Sequence, residues 1–211
     1  GRTIIKYSGN KRPASLPFIT GDGFRASADH IYDNSHPSIQ PEHVKEYDVV
    51  FVGDSNFEKF FSEIHPHITQ RYILITHNGD AVVGGKEIGF IDEKIIRWYG
   101  INVITNHPKV TPIPLGIENK HIYVFGIPWI LKSIAKKNTP KVDKMFYGFT
   151  ISTNTSERQP AFEAAQRNPL AETTHKWLNP YKYLRLLAKY KFVISPPGSC
   201  VPRGVRHSGP R

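Results

Sequence analysis

The sequence predicts an α/β protein built on parallel sheet, and three observations carry that expectation. Two short apolar runs, Val49–Val52 and Tyr72–Ile75, each end abruptly in polar residues; a helical pattern separates them; and the same alternation restarts near residue 144. Runs of β-branched and aromatic residues without polar alternation belong to strands covered on both faces, as parallel strands are. Strand, helix and strand in that order form a βαβ unit.

In chain order, Asp48-Val49-Val50-Phe51-Val52 precedes Gly53-Asp54-Ser55, and Arg71-Tyr72-Ile73-Leu74-Ile75-Thr76 precedes His77-Asn78-Gly79-Asp80. Between them, Asn56 to Ile68 sets Phe57, Phe60 and Phe61 on one helical face. A helix around Asp92 to Tyr99 and a strand over Ile101 to Thr105 continue the pattern. Lys109 to Ile117 is extended and interrupted by Pro112 and Pro114, the pattern of an edge strand or a loop leaving the sheet. Beyond a basic, acid-poor stretch, Lys144 to Ile151 reads as a strand, Glu157 to Arg167 as a helix stopped by Asn168-Pro169, and Asn179-Pro180 as the start of a helix through Lys189. Phe192-Val193-Ile194 closes the second cycle. The expected organisation is a Rossmann-like parallel-sheet domain over 1–130, a linker over 131–141, the beginning of a second Rossmann-like domain over 142–199, and an irregular tail over 200–211. That tail holds three arginines, no acid, two prolines and two glycines.

Composition narrows the function classes. A chain of 211 residues with 39% hydrophobic and 12% aromatic residues has enough apolar material for a core. No window approaches the roughly 20 apolar residues of a membrane span, and residues 1–20 lack the apolar centre of a signal peptide. With Cys200 as the single cysteine, no disulfide framework forms within the chain, which fits a reducing compartment. The expectation is a soluble protein, cytoplasmic or of a location the sequence does not name. The net charge of +10 calls for an anionic partner. Scattered basic residues and the lack of a recognised motif argue against a specific nucleic acid.

Several short motifs bear on chemistry. Ser195-Pro196-Pro197-Gly198-Ser199 follows a strand, at the edge where open α/β sheets bind ligands. Gly198 allows a backbone N–H to approach a phosphate, and Ser195 and Ser199 carry hydroxyl donors. Glu118, in Leu115-Gly116-Ile117-Glu118-Asn119, follows an extended segment and is a candidate for holding a sugar hydroxyl, together with Asn119. Gly21-Asp22-Gly23-Phe24-Arg25 lacks the third glycine and the Lys-Ser/Thr of known phosphate loops, so it reads as a turn. In His65-Pro66-His67 the proline breaks helical ligand spacing and no carboxylate cluster completes a metal set. Asn154-Thr155-Ser156 matches the N-glycosylation tripeptide, a pattern common by chance.

The Tyr-Leu helix from Tyr181 and the run Ala188 to Ser199 that follows it resemble the exostosin-like glycosyltransferases, glycosyltransferase family 47 and its bacterial and viral relatives. Upstream, Arg71 to Asp80, His107-Pro108-Lys109, Pro112 to Asn119 and Thr153 to Arg158 are similar to the same relatives in the same order, so the resemblance covers most of the chain beyond about residue 45. It implies a partial GT-B fold, with an acceptor-side first domain and a nucleotide-sugar site in the second. The implied activity is transfer of a sugar from a nucleotide sugar to a carbohydrate acceptor, without a metal or other cofactor; the absence of an Asp-x-Asp signature agrees. It also places Arg158 near the donor diphosphate, where a guanidinium fork suits phosphate oxygens. The acceptor hydroxyl would need a base, for which Asp54, His77 and Asp80 at carboxyl strand ends are the candidates. The family continues past the glycine loop with an Asp, an Arg and a Trp-Glu-Ala-Leu-like helix that this sequence lacks. The departure implies truncation or a frame change after Ser199 and an incomplete donor site. A non-catalytic sugar- or anion-binding module, and a nucleic-acid-binding protein, remain the alternatives.

Overall fold

Both apolar runs form neighbouring parallel strands, and every residue from Val50 to Gly53 is buried. The computed structural model describes residues 12–122 and 124–198, which divide after Gly126 into two units. The first holds a five-stranded, all-parallel sheet of β1 (His30–Tyr32), β2 (Val49–Gly53), β3 (Tyr72–His77), β4 (Ile95–Gly100) and β5 (Val110–Pro112), paired in sequence order. The architecture is α/β and compatible with a Rossmann-like domain. Its five strands run across the sheet without a reversal of order.

The aromatic spacing of Phe57, Phe60 and Phe61 does its expected work, although the segment is no single helix. It runs as a 3-10 turn over Asp54–Asn56, one α turn, α2 (Phe57–Lys59), a π turn over Phe60–Ile64 and a 3-10 turn over His65–His67. The His65 N–H reaches back to the Phe60 carbonyl, the widened step of a π turn. Pro66 has no N–H to continue the ladder, so the chain tightens and leaves. The widening keeps Phe57, Phe60 and Phe61 all buried, packed with Val50, Val52, Leu74 and Trp98. Trp98 stacks on Phe57 with centroids 5.4 Å apart and donates its indole N–H to Thr76 Oγ1 at 3.0 Å.

Two expectations are corrected here. Residues expected as a helix around Asp92 to Tyr99 contain β4, because Ile95, Ile96, Trp98 and Tyr99 are strand formers that pack on the pleat. Ile101 to Thr105, expected as a strand, is irregular: Asn102 takes a positive φ of 52° and only Val103 bridges, to Val83. Within Lys109 to Ile117, read as an edge strand or a loop leaving the sheet, Val110–Pro112 forms β5 at one edge.

The second unit holds β6 (Val142–Tyr147) between β7 (Ala171–Glu172) and β8 (Tyr190–Ile194), again parallel. Its helices are α3 (Pro128–Ala135), α4 (Thr155–Arg167) and α5 (Pro180–Leu187). The stretch read as the start of a linker is therefore largely α3, with Pro128 in its first turn and Ile130 and Ile134, four apart, buried. Unlike the first sheet, this one reverses direction: β7 adds on one side of β6 and β8 on the other. The predicted tail, 200–211, lies outside the described residues, as does Ser199. No helix among the described residues is long and apolar enough to cross a membrane.

Candidate functional site

In the first unit, the carboxyl end of the sheet opens into a cleft of about 420 Å³, whose lining includes Arg12, His77, Asp80, Glu118 and Asn119. His77 ends β3, and Glu118 and Asn119 arrive in the loop after β5. Four residues expected to bear on function, from two separate segments, thus meet in one place. Asp54 begins the 3-10 turn after β2, at the same edge of the sheet.

Their environments assign them different capacities. His77 is buried; its Nδ1 accepts the Asn78 backbone N–H at 2.8 Å, so Nε2 carries the hydrogen, donated to the Pro114 carbonyl at 3.3 Å. With both ring nitrogens engaged, His77 is a neutral spacer between β3 and the 114–119 loop, in place of the base expected from sequence. Burial holds its pKa below the ordinary 6.5, and burial does the same for His65. The unfolded chain takes up these protons near pH 6.5 while the fold resists them, so stability falls as pH drops through that value. A urea midpoint at pH 6 should lie below that at pH 7.5, and His77→Gln should flatten the difference; an unchanged wild-type midpoint would refute the assignment. Glu118 shows the opposite perturbation: burial raises its pKa, and its Oε2 has no hydrogen-bond partner among the described residues. Asp80 is exposed at the rim.

Behind the cleft lies a polar network that sequence reading missed. Asp22, fully buried, accepts from Arg12 Nη2 at 2.6 Å and Asn78 Nδ2 at 3.3 Å on Oδ1, and lies 2.6 Å from His121 Nδ1 through Oδ2. Its backbone N–H donates to Asn119 Oδ1 at 2.8 Å, and Asn119 Nδ2 donates to Asn78 Oδ1 at 2.8 Å. Arg12 also reaches Asp33 at 3.0 Å, which pairs with Arg25 at 2.7 Å. Two arginines and two aspartates balance, which is what lets such groups be buried together. The Gly21–Arg25 stretch, read as a turn, is instead part of α1 (Gly21–Ala26), with Thr20 capping by accepting the Gly23 N–H. Gly21 leaves no room for a side chain without displacing its neighbours: a Cβ there would lie 1.7 Å from Asn78 Oδ1 and 2.5 Å from His77 Nδ1. Gly116, at φ +76°, turns the opposing loop so that its missing Cβ clears the Ile19 carbonyl.

The second unit brings its own predicted residues together. Arg158, in the first turns of α4, donates from Nη1 to the Thr150 carbonyl at 2.7 Å and to Thr153 Oγ1, and from Nε to the Pro197 carbonyl at 2.9 Å. Nη2 approaches the Pro196 carbonyl at 3.4 Å. The loops after β6 and after β8 are thus fastened to one guanidinium. Asn154 does not cap α4 with its side chain; it donates Nδ2 to the Gly198 carbonyl at 2.9 Å and accepts from Ser156 at 3.0 Å. That amide, the acceptor atom of the glycosylation tripeptide, is a structural donor. Ser195 is exposed at the end of β8. At the carboxyl ends of β6 and β7, a separate cavity of about 400 Å³ has Phe149, Phe162, Tyr183 and Trp177 in its walls.

The metal reading of His65-Pro66-His67 finds no ligand set: His65 bonds Tyr72 Oη at 2.7 Å and Asp92 at 3.1 Å. Among the described residues no three His, Cys, Asp or Glu gather as a metal site. No protein-family model matches the chain, and no curated protein matches it.

Proposed function

We propose that this chain is a sugar-transferring protein of the exostosin-like type, whose second unit holds the diphosphate of a nucleotide sugar and whose first unit holds a carbohydrate acceptor. The observation that carries the reading is Arg158 joining the loops after β6 and β8, the two strands between which the order of the second sheet reverses. Open α/β sheets bind ligands at the carboxyl ends of strands flanking such a reversal. Gly198 stands against this guanidinium: a Cβ there would lie 3.4 Å from Nη2. The aromatic cavity at the same edge suits a base or sugar ring, which stacks on Phe and Trp faces. Asp80, Glu118 and Asn119 suit hydroxyl groups in the first unit's cleft. The net charge of +10 favours an anionic donor.

Calorimetry against a panel of nucleoside diphosphates and their sugar conjugates tests the reading. At least one should bind, and Arg158→Ala should weaken it by at least about 1.5 kcal/mol, the lower range for a charge-assisted hydrogen bond. Binding of none, with tight binding of RNA at low salt, would refute it. One observation favours a second reading, a non-catalytic sugar- or anion-binding module: Arg158 spends much of its donor capacity on backbone carbonyls. A bound nucleotide sugar that is never turned over would establish that reading.

A further inference from the structure

Charge is unevenly spread over the second unit. From Ile127 to Val142, and again from Thr173 to Phe192, the chain has no Asp or Glu. The first stretch contains α3, and the second contains α5 and most of β8. On α3, Trp129, Lys132 and Lys136 follow one another at spacings of three and four, which puts them on one side. All three are exposed, Trp129 by 67%. Lys182, Arg185 and Lys189 repeat the spacing along α5 and just past its end, and they too are exposed. None of these five cations pairs with a carboxylate among the described residues; Glu172 and Asp143 are taken by Lys144 and Lys191. The two helices meet where Lys137 donates Nζ to Tyr181 Oη at 3.2 Å, and Lys137 Nζ and the Arg185 guanidinium each lie 5.9 Å from the Tyr181 ring centroid.

The acidic residues stand elsewhere in the unit. Phe146 and Tyr147 are neighbours on β6 and so point to opposite faces of the sheet. Phe146 packs on Tyr183 of α5 with centroids 6.0 Å apart, and Tyr147 on Phe162 of α4 at 5.6 Å. α5 and its neighbour α3 therefore cover one face, and α4, which carries Glu157 and Glu163, covers the other. Gathering like charge on one face costs the fold self-repulsion, which an extended array of negative charge removes. Two observations favour a lipid surface over a nucleic-acid strand. Tyr181, the aromatic residue at the junction of the helices, is engaged by two cations instead of standing clear for a base to stack on. Trp129, exposed on the same side as Lys132 and Lys136, is the type of side chain that settles at the headgroup level of a bilayer.

We propose that the α3–α5 layer of the second unit is a docking surface for an anionic membrane. Lys132, Lys136, Lys182, Arg185 and Lys189 meet acidic phospholipid headgroups, and Trp129 enters the interface. The attachment is peripheral: Ile130 and Ile134 stay packed inside the protein, and only the outer side of α3 touches lipid. It is independent of the glycosyl-transfer reading, since it involves neither nucleotide nor sugar.

Co-sedimentation with vesicles of equal parts phosphatidylserine and phosphatidylcholine, against phosphatidylcholine alone, tests the surface. The chain should bind the first and not the second, and added salt should release it. Lys136→Gln should lower the partition coefficient about five-fold, equivalent to about 1 kcal/mol for one cation near an anionic surface. Arg167→Gln removes an exposed cation from α4, on the other face of the sheet, and should leave the coefficient unchanged. Equal losses in the two variants would mean that net charge alone draws the chain to the vesicle, and would overturn the proposal. Vesicles should also shift tryptophan emission to shorter wavelength, and Trp129→Phe, a conservative change at an exposed site, should remove most of that shift. An undiminished shift would sink the proposal as well. So would a Lys136→Gln chain that loses affinity for polyuridylate while its vesicle partition is untouched, an outcome that assigns the face to nucleic acid.

Discussion

Asp22→Ala is expected to destabilise the first unit by about 3–5 kcal/mol, the range for removing one partner of a buried charged pair. The loss is large because the carboxylate is out of contact with solvent and holds several donors: Asp22 is 0% exposed and receives Arg12, Asn78 and His121. Truncation leaves Arg12 leaning on Asp33 alone and leaves two further donors unpaired. It also loosens a junction at which Arg12, α1, the end of β3 and the 118–121 loop are joined through this carboxylate and its amide neighbours. Urea unfolding followed by tyrosine and tryptophan fluorescence checks the magnitude. A change below about 1 kcal/mol, the size expected of a surface pair, would mean the network contributes nothing beyond solvent-exposed ion pairing.

Trp98→Ala is expected to cost about 3–5 kcal/mol as well, for a different reason. Trp98 is 0% exposed at the centre of β4 and touches the aromatic ladder: Phe57 at 5.4 Å and Phe61 at 5.6 Å between centroids. Phe61 in turn stacks on Phe90 at 4.6 Å. The cavity left by an indole collapses only in part, because the rings around it, Phe57 on the α turn and Phe61 on the π turn, are themselves packed in the core. Thr76 Oγ1 would also lose its indole donor. Trp98→Phe should recover more than half of the loss, since it refills the ring volume without the N–H. Near-equal stability of the Ala and Phe variants would show that the hydrogen bond, not the packing, dominates.

The parts of the fold legible in sequence were those whose physics is local. Val49–Val52 and Tyr72–Ile75 could only be buried strands, and Phe57, Phe60 and Phe61 fixed the face that covers them. Asp92–Tyr99 misled because its acidic start looks like a helix cap, whereas Asp92 accepts the Lys94 N–H in a turn before β4. Residues 131–141 looked like a linker by charge, yet the Ile130 and Ile134 pair shows a helix face once position is counted. The candidate site divided in the same way. Position at a carboxyl strand end was enough to gather His77, Asp80, Glu118 and Asn119. It was not enough to reveal that His77 is tied down, or that Asp22 meets His121 across 99 positions. Gly21-Asp22-Gly23 carried a signal, a small residue beside a carboxylate, but its partners become visible only when the loop after β5 folds back on α1.

The grip of Arg158 and Asn154 on the Pro196–Gly198 loop has a thermodynamic corollary. A loop shaped by side chains of its own unit gives up its conformational freedom when the protein folds, so in the proposed function the diphosphate would meet a loop already shaped. Binding would then lose little chain entropy, and the on-rate would be set by diffusion and charge instead of by loop closure. Loosening the loop would show first in the entropy of binding, ahead of any change in what the ligand touches.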